Sequence, residues 1–262
     1  MIRLLAVDLD GTLIAHDGRG LKEARRAFAG LAGQGIVLAI ATGRMVQSAT
    51  QVLEDIGVRE GYIIALNGAE IWRFPLGAEP LWQRAIAPAA AKAAVGTCLA
   101  LGAEVQGYVK GELRILRRTA RTEAYARRTR VQAHLVAESR MAEAPQKLLA
   151  LLAPEATGRL MERLRLELAG EVECFRSEPD FVEIVPPGVD KGTALRALAS
   201  RLELPLAEVA AAGDGENDVE MLRIVGRAFA PLTASAAVLD IGPHLLPAPP
   251  DLAQALVAEL VR

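Results

Sequence analysis

Cysteine is scarce in this sequence: Cys98 and Cys174 are the only two, far apart and each in an apolar stretch. That argues against a disulfide framework or a thiolate zinc site and suits a reducing compartment. Both read most simply as core residues. Histidine is nearly as thin, and His16, His134 and His244 are scattered, reading as surface or packing residues rather than ligands. No apolar run approaches the roughly 18 residues that a membrane helix needs. There is no basic excess either. A net charge of -2 gives no electrostatic reason to expect nucleic acid or an anionic membrane as partner. The chain reaches a carboxylate at Asp8, too early for a signal-peptide core. Internal repeats are missing, and Pro247-Ala248-Pro249-Pro250 is a rigid connector. A soluble, cytoplasmic protein is expected.

What is present is a globular composition, 52% hydrophobic and 24% charged, in a chain long enough for one large domain or two modest ones. Ile2 to Val7 is an apolar run ending in Asp and Gly, the pattern of a buried strand that feeds a tight turn. Leu21, Ala24, Ala27, Phe28 and Leu31 recur at helical spacing before Gly33 and Gly35. A strand at 36–40, an amphipathic helix from Thr42 closed by Gly57, and a strand at 63–66 follow. This alternation predicts a parallel sheet with helices on both faces. Asn67-Gly68 reads as a hairpin turn between strands 63–66 and 70–74. From about residue 81 to 185 the order changes to an α+β module with an antiparallel sheet, including a hairpin across Lys110-Gly111. The parallel pattern then resumes, with a helix from Lys191, a strand at 209–212 and a helix at 217–225. The order is core, insertion, core.

Four segments carry chemistry, each at a predicted strand end or helix start. Asp8-Leu9-Asp10-Gly11-Thr12-Leu13 follows the first strand, where ligands bind in open α/β sheets. Asp8 and Asp10 can face one bound group if the chain turns at Gly11. One carboxylate can then attack phosphorus while the other protonates the leaving oxygen and later activates water. A hard cation would neutralise the charge. A solvated Asp-x-Asp-Gly turn is the bland alternative. Ala41-Thr42-Gly43-Arg44 opens a helix, so Thr42 is either part of an anion site or an N-cap. Lys191, in Asp190-Lys191-Gly192, either holds a phosphoryl oxygen or is solvated. Gly213-Asp214-Gly215-Glu216-Asn217-Asp218 suits a magnesium-like cation, or is turn and cap chemistry.

Together these segments resemble the haloacid dehalogenase superfamily of phosphohydrolases, most closely its Cof-type branch with a large α+β cap. The resemblance implies a Rossmann-like core over residues 1–82 and 186–262, with a specificity cap inserted over 83–185. It implies Asp8 as nucleophile and magnesium ligand. Asp10 is then the acid/base and lends its backbone carbonyl to the metal, and Thr42 and Lys191 hold the phosphoryl group. Asp214 completes the metal site, Asp218 ligates through water or orients Lys191, and Asn217 and Gly43 line the pocket. Relatives that trap the phosphoenzyme carry Thr at the position of Asp10, so Asp10 favours hydrolysis.

The implied substrate is a small phosphorylated metabolite, a sugar phosphate as first guess, with Mg2+ as cofactor and no nucleic acid or membrane as partner. The oligomeric state is left open. A phosphomutase of the same superfamily and a non-catalytic phosphate-binding regulator are the alternatives. Two departures stand out: Phe229-Ala230-Pro231-Leu232-Thr233-Ala234 replaces the family's Gly-Asn-Ala stretch, so that a polar contact near the site is either missing or supplied by Thr233, and the Asp-Gly-Val ahead of the last helix is missing. Asn67-Gly68-Ala69 matches a stretch common in these relatives. Arg114, Arg117, Arg118, Arg121, Arg127, Arg128 and Arg130 crowd the predicted cap, as a solvated helical face or as a reader of a second anionic group on the substrate.

Overall fold

The computed structural model describes residues 1–15 and 17–261, so His16 lies outside the described residues. The chain divides into two compact units, Met1–Trp82 with Asp190–Arg262, and Gln83–Val189.

In chain order the first unit holds β1 (Leu4–Val7), α1 (Leu21–Phe28), β2 (Val37–Ala41), α2 (Val46–Asp55), β3 (Gly61–Ala65) and β4 (Glu70–Phe74), then the short β5 (Trp82–Gln83). The second unit contributes α3 (Pro88–Ala100), β6 (Glu104–Val109), β7 (Glu112–Ile115), α4 (Ala120–Thr129), β8 (Ala133–Leu135) and α5 (Glu138–Met141). It continues with β9 (Lys147–Leu151), α6 (Pro154–Glu167), β10 (Glu173–Glu178) and β11 (Phe181–Val185). The first unit resumes with α7 (Lys191–Arg201), β12 (Val209–Ala212), α8 (Val219–Ile224), β13 (Arg227–Pro231), α9 (Ala236–Leu239), β14 (His244–Leu246) and α10 (Leu252–Val261).

The first unit's sheet runs β14-β13-β12-β1-β2-β3-β4-β5. From β14 to β3 every neighbour is parallel, and β4 returns antiparallel to β3. Strands buried on both faces need apolar side chains throughout, and Leu4–Val7 and Val209–Ala212 are buried at every position. One face packs Leu4, Ala6, Ala39 and Ala211 against Leu195, Leu198, Met221 and Leu222 of α7 and α8. A fully buried leucine of this kind is worth roughly 1.5–3 kcal/mol. The first strand, β1, has β2 on one side and β12 on the other, with Val7 level with both Ile40 and Ala212. The strand order therefore reverses at β1, and the crevice for a ligand opens at its carboxyl end.

One local expectation needs correction. The helix expected from Thr42 starts only at Val46, because Thr42 to Met45 form a turn, and Met45 is extended at ψ 153. Asn67-Gly68 does join the antiparallel β3 and β4, through a 3-10 turn over Leu66–Gly68 in which Leu66 and Asn67 are both left-handed.

The second unit's sheet runs β10-β11-β9-β6-β7-β8 and is antiparallel except where β8 joins β7 in parallel. Lys110 and Gly111 both take positive φ, which suits the tight turn between β6 and β7. Val105, Leu148, Ala150, Val182 and Ile184 share one face and pack on Cys98, Leu160 and Leu164 from α3 and α6. In register on the other face lie Gln106, Leu149 and Glu183. The arginine cluster is not one helical face. Arg114 sits on β7, buried, donating to Glu112 at 2.9 Å, Glu143 at 2.8 Å and the Arg140 carbonyl at 2.6 Å. Arg118 and Arg127 pair with Glu123, and Arg128 with Glu178. Arg117 borders a pocket of about 350 Å³ beside Glu104 and Glu138. Among the described residues no helix is long and apolar enough to cross a membrane.

Candidate active site

Asp8 prolongs the line of β1, and its backbone N–H donates to the Ala212 carbonyl at 2.9 Å. That bond ties the loop after β1 to the end of β12. Gly11 turns the chain at φ 95, and a Cβ there would run into the Asp214 carboxylate. Only glycine combines that backbone with that close approach. Thr12 is buried, and its hydroxyl donates to Asp214 Oδ1 at 2.6 Å. The loop after β12 closes on itself: Asp218 Oδ2 accepts the backbone N–H of Asp214 at 3.1 Å and of Gly215 at 2.9 Å.

The N-cap of α7 is Asp190, whose Oδ1 accepts the Thr193 N–H at 2.7 Å, so Lys191 begins the helix. The helix dipole disfavours a cation there by about 0.3–1 kcal/mol. Two carboxylates reverse the balance, since Lys191 Nζ donates to Asp8 Oδ1 at 2.6 Å and to Asp218 Oδ1 at 2.7 Å. All three side chains are buried. Burial would lower the lysine's pKa, but Asp218 and Asp8 outweigh it and hold the ammonium above the usual lysine value. For Asp8 the balance runs the other way. Burial pushes its carboxyl up, Lys191 pulls it down, and Asp218, Asp214 and Asp10 push it up again, leaving it well above the ordinary carboxylate range.

Asp8, Asp214 and Asp218 each offer an oxygen, and these atoms lie within 4.8 Å of one another. One ammonium sits against two of these three carboxylates, so negative charge is left over in an all-oxygen donor set of which Asp8 and Asp218 are buried and Asp214 is half-buried. A hard divalent cation fits that chemistry. Of the three, Asp218 already has one oxygen on Lys191 and the other on two backbone N–H groups. It is therefore placed to hold Lys191 more than to hold a metal directly.

The Asp10 carboxylate stands apart from this group. It accepts from Arg44, Nε to Oδ2 at 2.8 Å and a terminal nitrogen to Oδ1 at 2.5 Å. Thr42 is buried at the end of β2, and its hydroxyl accepts the Arg44 N–H at 3.1 Å, so it is not a helix N-cap. Gly43 lies against the amide of Asn67, and Asn217 Nδ2 donates to Asn67 Oδ1 at 3.0 Å. Thr233 is exposed. The contact beside Asp214 comes instead from the Ser235 backbone N–H, which donates to the Asp214 carbonyl at 2.8 Å. Sequence reasoning assigned no role to Thr12 or Arg44, although both stand inside the quoted segments; nothing local marks Ser235.

Residues 5–251 match the family model of haloacid dehalogenase-like hydrolases. The chain belongs to that family. An HMP-PP phosphatase of Cronobacter sakazakii (strain ATCC BAA-894) is 31% identical over 255 residues, covering 94% of this chain and 89% of that protein. The X-ray structure of TM0651 from Thermotoga maritima is 28% identical with a TM-score of 0.86, covering 100% of this chain and 98% of that one. A haloacid dehalogenase-like hydrolase from Bacteroides thetaiotaomicron shares the fold at a TM-score of 0.90 and 22% identity, covering 99% and 100%. This haloacid dehalogenase-like hydrolase is a phosphatase.

Proposed function

We propose that the protein is a Mg2+-dependent phosphatase that hydrolyses a small phosphorylated metabolite through an aspartyl-phosphate on Asp8. The observation that carries this reading is the buried Asp8 carboxylate, bridged by Lys191 to Asp218 and set beside Asp214 at the sheet's switch point. One Asp8 oxygen attacks phosphorus, and the bond from phosphorus to the leaving oxygen breaks. Asp10, oriented by Arg44, gives its proton to that oxygen. Asp10 then takes a proton from water, the water oxygen attacks the phosphoryl group, and inorganic phosphate leaves as Asp8 is regenerated.

Lys191 and the Thr42 loop, including Gly43, hold the phosphoryl oxygens, and Asn217 lines the same pocket. Asp8, the Asp10 carbonyl and Asp214 would hold Mg2+, with Asp218 fixing Lys191. The bound cation supplies charge neutralisation, so that an anionic nucleophile can approach an anionic phosphate. The inserted unit, Gln83–Val189, sets specificity. Sugar phosphates, and HMP-PP because a relative is named for it, are the first substrates to try. Two buried free thiols suit a cytoplasmic setting.

The test is phosphate release from a panel of phosphorylated metabolites, with Mg2+ and with EDTA. Turnover should need Mg2+, fall with Ca2+, and vanish in Asp8→Asn. Release that survives EDTA or the Asp8 substitution would refute the mechanism.

A further inference from the structure

Asn67 is 1% exposed and stands in the left-handed region at φ 57 and ψ 31. Asparagine and glycine tolerate that backbone best. Its backbone N–H donates to the Thr42 carbonyl at 3.0 Å, which fastens it beside the loop after β2. Its side-chain oxygen accepts from Asn217 at 3.0 Å, which fastens it to the loop after β12. With the oxygen end occupied, the nitrogen end is left over, and Asn67 Nδ2 is buried without a hydrogen-bond partner among the described residues. A buried donor without a partner carries a desolvation cost, which a ligand oxygen placed against it would recover.

The two flanking glycines show how closely the surroundings are built around this amide. A Cβ on Gly43 would stand 3.1 Å from Asn67 Oδ1 and 3.2 Å from Nδ2. A Cβ on Gly68, at φ 103, would collide with the Asp190 carbonyl, one residue before Lys191. The amide thus lies against Gly43 of the loop after β2 and against Asn217, while the next residue, Gly68, lies against the start of the lysine-bearing helix. A residue kept only to make a turn needs no such contacts for its side chain.

We propose that Asn67 is a phosphoryl-binding residue, its Nδ2–H donating to a non-bridging phosphoryl oxygen while Asn217 holds its other end. The inference rests on the phosphatase reading above. The ligand class is a tetrahedral oxyanion: the substrate phosphoryl group, inorganic phosphate or orthovanadate.

The test uses inorganic phosphate and orthovanadate as competitive inhibitors of p-nitrophenyl phosphate hydrolysis. Asn67→Asp keeps shape and left-handed backbone but replaces the donor with an acceptor. Asn67→Gly keeps the backbone and removes the amide, and it stays informative if the aspartate fails to fold. Both should weaken each inhibitor at least tenfold while Mg2+ affinity, read by calorimetry, changes less than twofold. Unchanged inhibition constants in both variants overturn the proposal, whatever the melting temperature does, because a purely structural Asn67 would move stability alone. A wild type that neither hydrolyses the reporter nor binds phosphate overturns instead the phosphatase reading on which the proposal rests.

Discussion

Arg44 donates to both carboxylate oxygens of Asp10, at 2.8 Å and 2.5 Å, across 34 positions of sequence. The forked geometry fixes the plane of a carboxylate that is otherwise half exposed. If Asp10 is the acid/base, Arg44 positions it. Arg44→Ala should lower kcat by roughly 10- to 100-fold, the usual cost of a misplaced reacting group, with a smaller change in KM. Arg44→Lys should fall between, since an ammonium cannot reproduce the fork. An unchanged kcat in Arg44→Ala would remove the positioning role.

Lys191 bridges two carboxylates that would otherwise share a buried site with no cation between them. Lys191→Met should abolish turnover and cost about 3–5 kcal/mol, the range for breaking a buried pair from one side. The pH dependence follows from the directions of the shifts. Lys191 is held above the usual lysine value, so its contribution is complete throughout the acid and neutral range and fades only at high pH. Asp8 is raised, so its penalty is absent below the ordinary carboxylate value and grows as pH rises through the raised one. Removing Lys191 raises it further. Urea unfolding in EDTA should therefore show the gap between wild type and variant narrowing as pH falls from neutral through the raised Asp8 value toward the ordinary carboxylate range. A constant gap would contradict this account.

The acidic segments were legible because each follows an apolar strand and ends in glycine, as with Asp8 after Leu4–Val7 and Asp214 after Val209–Ala212. Their meeting depends on β1 lying between β2 and β12, a register that periodicity does not encode. For the same reason the Arg44–Asp10, Thr12–Asp214 and Ser235–Asp214 contacts were out of reach: each joins segments far apart in sequence. The helix after Thr42 was placed early because a hydroxyl before an apolar repeat looks like a cap, whereas here it closes a turn onto Arg44. The helical-face reading fails for Arg114 because it lies on the strand β7, where it donates to Glu112 and Glu143.

Cys98 is fully buried, and burial, with a smaller push from Cys174, raises its thiol to about 12. Reagents attack the thiolate, so a native thiol of this kind is almost inert at pH 8. Cys174 is also buried and raised, first by burial. A disulfide-exchange reagent should label neither residue in the native protein within minutes and both at once in urea. Rapid native labelling of Cys98 would mean that the face of α3 against the sheet opens far more often than its packing allows.

Gln106 lies in the middle of β6, level with Leu149 on β9 and Ile115 on β7, and is fully buried. Neither its amide nitrogen nor its amide oxygen has a hydrogen-bond partner among the described residues. Each such group carries a desolvation cost of about 1–3 kcal/mol, whereas an apolar side chain of the same length carries none. Methionine matches the volume and can adapt its rotamers to the space. Gln106→Met should therefore stabilise the second unit by about 1–2 kcal/mol, read as a higher urea midpoint with an unchanged slope. Shortening the side chain instead leaves a void, so Gln106→Ala should gain less or lose stability outright. If methionine destabilised the protein as much as alanine, the amide would have to be satisfied in solution, and the cost assigned to this position would be wrong.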